Sequence, residues 1–216
     1  MKRQYSTDEE YEFYLLIRDH IDVIFDVGAR NESIYIDFPG EVHYFDPVPD
    51  FINQLQTLPT KNRKSYFNKF GLSFENNIKY YYPSFESFFD RIRSCNRSDE
   101  ANKRELVVRK AKDYIEEAKI ERVDFLKIDT EGYEFYVLKG FEEYLSKIKI
   151  IQFEYGGTFI DNDTKLVDVV NYLKERGFEN FCYLRKDGII PIADFSDHYE
   201  YSNIVCTHKS LPVKLF

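Results

Sequence analysis

The strongest constraint on the fold is a repeated alternation of short apolar runs with amphipathic segments. Apolar runs occupy residues 21–27, 42–45, 123–128 and 149–154, each short enough to be a buried strand. Between residues 166 and 173, apolar side chains recur at the i, i+3, i+4 and i+7 spacing of a helix face. Such alternation indicates a parallel sheet with helices on both faces, so we predict an α/β fold.

The end of the chain breaks this pattern. Strands predicted near residues 180–185 and 203–207 follow each other without a helix, which indicates an antiparallel hairpin at the sheet edge. The expected fold is therefore Rossmann-like, with a mostly parallel sheet of seven strands and an antiparallel edge hairpin. No repeat or Pro/Gly-rich linker interrupts the chain, so we predict one domain over residues 1–216. Its parts are an N-terminal helix (1–20), a core with the ligand crevice (21–157), and a C-terminal helix with edge strands (158–216).

Composition excludes several classes of protein. The net charge of −8 disfavours nucleic acid as a partner, because phosphate recognition normally needs a basic face. No run approaches the roughly 20 apolar residues of a membrane helix, so we expect no membrane insertion. The polar N-terminus does not resemble a secretory signal, which favours a cytoplasmic protein. Cys95, Cys182 and Cys206 form no CxxC pair, which argues against a disulfide framework and structural zinc.

The candidate site residues are those at the ends of the predicted strands. In a doubly wound sheet, ligands bind beyond the carboxyl ends of the strands, where the strand order reverses. The strand ends predict a ligand crevice at Asp26, Gly28, Ala29, Arg30, Asp46, Pro47, Gly71, Leu72 and Ser73. It predicts catalytic groups at Asp129, Glu131 and Glu154.

The type of cofactor follows from two of these segments. Asp46 lies 20 residues after Asp26, the offset at which a carboxylate after the second strand reaches ribose hydroxyls. The first loop has the single glycine Gly28 and lacks GxGxxG, which counts against the pyrophosphate of NAD or FAD. A cofactor with ribose but no pyrophosphate remains, and S-adenosylmethionine is the candidate.

Five segments, occurring in the same order along the chain, resemble those of a known family. They are Asp26-Val27-Gly28-Ala29, Tyr44-Phe45-Asp46-Pro47, Gly71-Leu72-Ser73, the block KIDTEGYE from Lys127 to Glu134, and Val137-Leu138-Lys139-Gly140. Together they resemble the FkbM-type methyltransferases, and the KIDTEGYE block is the most specific of them. The likeness runs from about residue 22 to 157 and more loosely to 207.

This resemblance implies a class I S-adenosylmethionine-dependent O-methyltransferase that acts on a hydroxyl of a carbohydrate or similar small acceptor. It implies that Asp26, Gly28 and Ala29 hold the methionine part, that Asp46 binds the ribose, and that a turn at 71–73 borders the adenine. The family's first loop usually reads DxGANxG, whereas this chain has Arg30 and no second glycine. The rival hypothesis is a degenerate methyltransferase fold that binds without turnover. A cap or RNA ribose methyltransferase is a third, disfavoured by the acidic charge.

The acidic residues after the later strands have alternative roles. Asp129 is expected beside the methyl group, as the base that activates the acceptor hydroxyl. As an alternative, Asp129 and Glu154 could share a magnesium ion. Glu131 and Glu134 could instead favour the positive end of the following helix.

We also make predictions for three more side chains and one segment. Lys127, inside an apolar strand, is expected to form a buried ion pair with one of these carboxylates. His43 is expected in the core, and His198 near the acceptor. Residues 83–104 are the expected acceptor lid.

Overall fold

A computed structural model describes residues 8–88 and 97–211 of the chain. Residues 1–7 of the predicted N-terminal helix and residues 89–96 of the predicted lid lie outside them. The helices are α1 (Asp8–Ile17), α2 (Pro49–Gln56), α3 (Arg97–Asn102), α4 (Ala111–Glu117), α5 (Glu134–Gly140) and α6 (Leu166–Lys174), with 3-10 turns at Arg18–His20, Ile34–Asp37, Glu142–Lys147 and Gly157–Ile160. The strands are β1 (Val23–Val27), β2 (Glu41–Phe45), β3 (Lys64–Asn68), β4 (Gly71–Ser73), β5 (Asn77–Tyr81), β6 (Arg104–Lys110), β7 (Phe125–Ile128), β8 (Ile150–Tyr155), β9 (Phe178–Arg185), β10 (Gly188–Pro191) and β11 (Ser202–His208).

The main sheet has eight strands in the order β10-β9-β11-β8-β7-β1-β2-β3. The five strands from β8 to β3 in this order are parallel to one another. The chain runs outward from β1 through β2 and β3, then returns to β7 on the other side of β1. The strand order therefore reverses between β1 and β7, which is where a doubly wound sheet opens a ligand crevice.

The antiparallel end of the sheet differs from the prediction of seven strands and a terminal edge hairpin. β11 pairs antiparallel with both β8 and β9, so it lies inside the sheet. The edge hairpin is formed by β9 and β10 instead. Every residue of β11 is buried, whereas β10 is largely exposed and ends at Pro191. An edge position suits β10, because proline has no N–H to give to a further strand.

Helices cover both faces of the sheet. The side chains of β1 alternate: Val23, Phe25 and Val27 belong to one buried cluster, and Ile24 belongs to the other. Helices α4, α5 and α6 pack on the first cluster, whereas α1 and α2 pack on the second. None of the helices in the described part of the chain is long and apolar enough to cross a membrane.

A second sheet of three strands, in the order β4-β6-β5, stands beside the main one. Its strand β5 pairs antiparallel with β6. The predicted turn at 71–73 is the strand β4, which pairs in parallel with β6 through Gly71 and Val108. The run Leu106-Val107-Val108 suits a strand. This sheet packs against α5, where Gly140 leaves room for the main chain of Ser73.

Candidate active site

The carboxyl ends of the parallel strands border a cavity of about 590 Å³. The loops after β1, β2 and β7 meet there because parallel strands end at the same edge of a sheet. Nine of the predicted site residues line this cavity: Gly28, Arg30, Asp46, Pro47, Gly71, Leu72, Asp129, Glu131 and Glu154. Its apolar walls come mainly from Phe51, Leu72, Tyr81, Phe88 and Tyr133.

A second cavity of about 350 Å³ adjoins the first. The two share Glu10, Gly28, Arg30 and Asp129 as lining residues. The predicted residues Asp26 and Ala29 line only this smaller cavity. Ser73 lines neither of the two: it is fully buried, and its hydroxyl lies 3.1 Å from the Tyr133 hydroxyl.

The loop after β1 is held against two neighbouring strands. The N–H groups of Gly28 and Ala29 both donate to the carbonyl oxygen of Phe45, at 2.9 and 3.0 Å. Gly28 has a φ of 82°, and a Cβ there would overlap the main chain of Asp129. The glycine is therefore required both by its backbone conformation and by the close approach of the β7 loop.

Asp46 is the carboxylate that ends β2 inside the larger cavity. It is only 4% exposed, and its Oδ2 and Oδ1 accept the N–H groups of Arg30 (3.0 Å) and Val48 (2.8 Å). Burial raises the pKa of Asp46 to about 6, although these two hydrogen bonds favour the ionised form. Each carboxylate oxygen keeps a further lone pair, so Asp46 can still accept two hydroxyl groups.

The side chain of Arg30 turns away from Asp46. Its guanidinium donates to Glu86 at 2.6 Å and lies 5.7 Å from the centroid of the Phe51 ring. Arg30 has a φ of 54°, in the left-handed region that asparagine adopts more readily. Arg30, which departs from the family pattern, therefore donates its main-chain N–H to Asp46, while its side chain contacts Glu86 and Phe51, which also line the cavity.

Lys127 forms the predicted buried ion pair. Its Nζ lies 3.2 Å from Asp129 Oδ2 and 3.7 Å from Asp26 Oδ1. Burial opposes the charge, yet the carboxylates of Asp129 and Asp26 raise the pKa of Lys127 above its usual value. Asp26 Oδ2 accepts the Ser33 hydroxyl at 2.6 Å, whereas Asp26 Oδ1 is buried without a hydrogen-bond partner among the described residues.

Three carboxylates converge where β7 and β8 end. Oxygen atoms of Asp129, Glu131 and Glu154 all lie within 4.8 Å of one another. Burial, followed by the charges of Asp129 and Glu86, raises the pKa of Glu131 to about 7. Burial and then Asp129, Glu134 and Glu131 raise the pKa of Glu154 above the usual carboxyl range.

Glu134 holds the loop that carries Glu131. Its Oε1 accepts the N–H and hydroxyl of Thr130, at 2.7 and 2.9 Å, and the N–H of Gly132 at 3.3 Å. The carboxylate stands at the first residue of α5, which agrees with its predicted role at the helix start. Glu131 has no such bond to the helix and lines the larger cavity instead.

The two histidines considered from the sequence lie outside both cavities. His43 is buried in β2 between the Tyr114 hydroxyl (2.7 Å) and Glu41 (2.9 Å), and burial lowers its pKa. His198 Nε2 lies 2.8 Å from the hydroxyl of Tyr183 on β9.

Among the residues of the larger cavity that sequence reasoning missed are Glu10 and Tyr201. Glu10 is 8% exposed on α1, and its carboxylate accepts a hydrogen bond from Gln152 Nε2 at 2.7 Å. A signal for it exists in the sequence, because Glu10 shares the buried face of α1 with Phe13, Tyr14 and Ile17. Tyr201 lies in an irregular segment before β11 and has no comparable signal.

The order of the strands, together with Gly28 at the end of β1 and Asp46 at the end of β2, defines the structural class of the protein. The protein is an α/β protein of the Rossmann-like class, with a crevice at the point where the strand order reverses. The model of the methyltransferase FkbM domain matches residues 26–179. The chain therefore belongs to the FkbM methyltransferase family, which confirms the resemblance and supports a methyltransferase.

A solved structure shows the same fold. The crystal structure of methyltransferase FkbM from Methylobacillus flagellatus KT aligns with a TM-score of 0.52 at 15% sequence identity. The alignment covers 87% of this chain but only 44% of that one, so this chain spans less than half of its length. A comparison with curated proteins finds no significant match.

Proposed function

We propose that this protein transfers a methyl group from S-adenosylmethionine to a hydroxyl group of a carbohydrate or similar small acceptor. The observation that carries the proposal is the placement of Asp46. Its buried carboxylate lines a cavity between the ends of β1, β2 and β7, in a chain that matches the FkbM domain. This is where a ribose diol meets a carboxylate in a doubly wound sheet.

The residues present fit the cofactor in three respects. Asp46 retains lone pairs for the ribose hydroxyls. Phe51 and Leu72 offer apolar surface for the adenine, close to Gly71. Asp26 lines the smaller cavity, and its Oδ1 has no hydrogen bond among the described residues beyond the ion pair with Lys127, so it can accept the ammonium group of the methionine part. When bound, the cofactor supplies an electrophilic methyl group.

The acidic end of the crevice supports a hydroxyl acceptor. A hydroxyl is a hydrogen-bond donor, and Asp129, Glu131 and Glu154 are acceptors when ionised. Asp129 is the group proposed to orient and deprotonate the hydroxyl, and Lys127 holds its carboxylate in place. The rings of Tyr81 and Tyr133 line the same cavity and offer faces on which a sugar can stack.

The altered first loop does not remove the groups that the cofactor needs. Gly28 keeps its place, and the N–H of Arg30 still bonds to Asp46. These contacts favour a functional cofactor site over a degenerate one. The acidic crevice also disfavours a polyanionic acceptor such as RNA, because its phosphates would meet several carboxylates.

Calorimetry with S-adenosylmethionine and S-adenosylhomocysteine tests cofactor binding directly on the full chain. A methyl-release assay against neutral sugars, amino sugars and other hydroxylated small molecules then tests transfer. We expect saturable one-to-one binding and turnover with at least one hydroxylated acceptor. Absence of cofactor binding by folded protein would overturn the proposal, and tight binding without turnover on any of the panel would favour the degenerate alternative.

A further inference from the structure

The three carboxylates at the end of β7 and β8 form a cluster without a matching set of cations. Oxygens of Asp129, Glu131 and Glu154 lie within 4.8 Å of one another. Lys127 pairs with Asp129, and no ion pair joins it to Glu131 or Glu154 within the described residues. Two of the three carboxylates therefore lack a basic partner there.

Glu154 distinguishes this cluster from an exposed acidic patch. The residue is 7% exposed, and its carboxylate has no hydrogen bond or ion pair with any described residue. Even so it lines the larger cavity. A buried carboxyl group is normally hydrogen-bonded, paired or bound to a metal, and is otherwise held protonated, because desolvation of an isolated charge is costly. The side chain of Glu154 therefore lacks a partner that the cavity is placed to provide.

The spacing of the three oxygens fits a single ion. Carboxylate oxygens lie about 2.1 Å from Mg²⁺ and up to about 2.6 Å from Ca²⁺. Two oxygens on opposite sides of one ion are therefore at most about 4.2 Å apart for Mg²⁺ and about 5.2 Å apart for Ca²⁺. The separations of up to 4.8 Å in the cluster lie within the limit for an ion of the size of Ca²⁺. The donors are all oxygen, which favours hard cations over zinc.

We propose that Asp129, Glu131 and Glu154 bind one hard divalent cation, of a size up to that of Ca²⁺. The sequence predicted Asp129 and Glu154 as a pair of ligands, and Glu131 is added as a third. Glu131 has a φ of 54°, and its loop is held over the cavity by the hydrogen bonds that Glu134 accepts from Thr130 and Gly132. Hard divalent cations take six or more oxygen ligands, so three protein ligands leave several coordination positions open to the cavity.

A cation at this place would lower the pKa of an acceptor hydroxyl that meets it. This role rests on the proposed methyl transfer, whereas binding of the ion does not. The two can therefore fail separately: cation binding is measured without cofactor or acceptor, and the proposed function is decided by the calorimetry described above.

The test uses Mn²⁺ as the probe, followed by electron paramagnetic resonance and by calorimetry on metal-free full-length chain. We expect one site per chain, from which Ca²⁺ or Mg²⁺ displaces Mn²⁺. Glu131→Gln and Glu154→Gln keep the side-chain shape and remove a charged ligand. Each should weaken Mn²⁺ binding by at least about 10- to 100-fold, because even substitution of a residue that is hydrogen-bonded to a metal ligand causes a loss of that size.

Glu143→Gln is the matched control, because Glu143 is an exposed carboxylate beside Glu142 and remote from the cavity. It should bind Mn²⁺ as the wild type does. Circular dichroism of each variant shows whether it is folded, and Mn²⁺ binding is compared among folded variants only. Absence of a stoichiometric site in the wild type would overturn the proposal, and so would Mn²⁺ binding that survives both cavity substitutions.

Discussion

A Cβ on Gly28 would overlap the main-chain carbonyl oxygen of Asp129 and lie 2.8 Å from its carbonyl carbon. The loop that follows β1 is thereby in contact with the loop that follows β7. The first loop carries the proposed cofactor contacts, and the second carries the proposed catalytic carboxylates. Any change that separates the two loops should affect both groups of residues.

Gly28→Ala tests this contact. The variant should lower both the melting temperature and the affinity for S-adenosylmethionine, because the methyl group displaces the β7 loop and the φ of 82° disfavours an L-residue by about 1–2 kcal/mol. Gly188→Ala is the control: its φ is 119°, yet no atom lies within 4 Å of the added Cβ. The control should lose stability but keep its cofactor affinity. Normal cofactor affinity in Gly28→Ala would show that the loop does not approach the cofactor.

Asp46→Ala should weaken S-adenosylmethionine binding by about 1.5–3 kcal/mol, the usual value of hydrogen bonds to a charged group. The loss combines the ribose contacts with those that Asp46 makes to the N–H groups of Arg30 and Val48. Calorimetry measures the dissociation constant, and circular dichroism checks the fold. An unchanged dissociation constant in folded protein would remove Asp46 from the cofactor site.

The pKa of Asp46, raised to about 6 by burial, predicts a pH dependence of cofactor binding. The ionised carboxylate accepts the ribose hydroxyls, and protonation removes part of that capacity. Affinity should therefore be constant above pH 7 and fall below pH 6, by at most about tenfold per pH unit. Asp46→Asn should bind more weakly and show a flatter profile between pH 5 and 7. An identical pH profile in both proteins would assign the titration to another group.

Asp129→Asn separates chemistry from structure. If Asp129 orients or deprotonates the acceptor, turnover should fall by about 10²–10⁴-fold while cofactor affinity is nearly unchanged. If it binds a cation, the wild-type enzyme should also be sensitive to EDTA, and Glu154→Gln should behave like Asp129→Asn. A purely structural role, through the ion pair with Lys127, predicts a lowered melting temperature together with lowered cofactor affinity. Turnover near that of the wild type would exclude Asp129 from the mechanism.

Arg30→Asn restores the residue that is usual in the family. The substitution removes a half-exposed ion pair with Glu86, which contributes about 0–1 kcal/mol. Asparagine also tolerates the φ of 54° at this position better than arginine does. We expect unfolding free energy within about 1 kcal/mol of the wild type and nearly unchanged cofactor affinity, because the N–H bond to Asp46 remains. A large loss of affinity would instead show that the guanidinium itself binds the cofactor.

The sequence was sufficient for features that neighbouring residues encode. Apolar runs and helical spacing indicated the parallel strands and the helices on both faces, and strand ends indicated Gly28, Asp46 and Asp129 as crevice residues. The second sheet could not be predicted from neighbouring residues in this way, because the segment before β6 is polar. Residues 94–104 carry no continuous apolar pattern, and the pairing of Gly71 with Val108 that builds the second sheet joins distant parts of the chain.

By itself, then, the sequence determined the class of fold and the edge of the sheet that carries the candidate site, because periodicity and strand-to-loop offsets are local properties. The family was indicated by the resemblance of five short motifs. Tertiary structure decided which side chains meet there. The insertion of β11 between β8 and β9 depends on the burial of its whole length, and the contact of Glu10 with Gln152 joins residues 142 positions apart. The convergence of Asp129 and Glu131 with Glu154 likewise requires β7 and β8 to be neighbours in register. Contacts of this kind depend on packing between elements, which no local pattern in the sequence records.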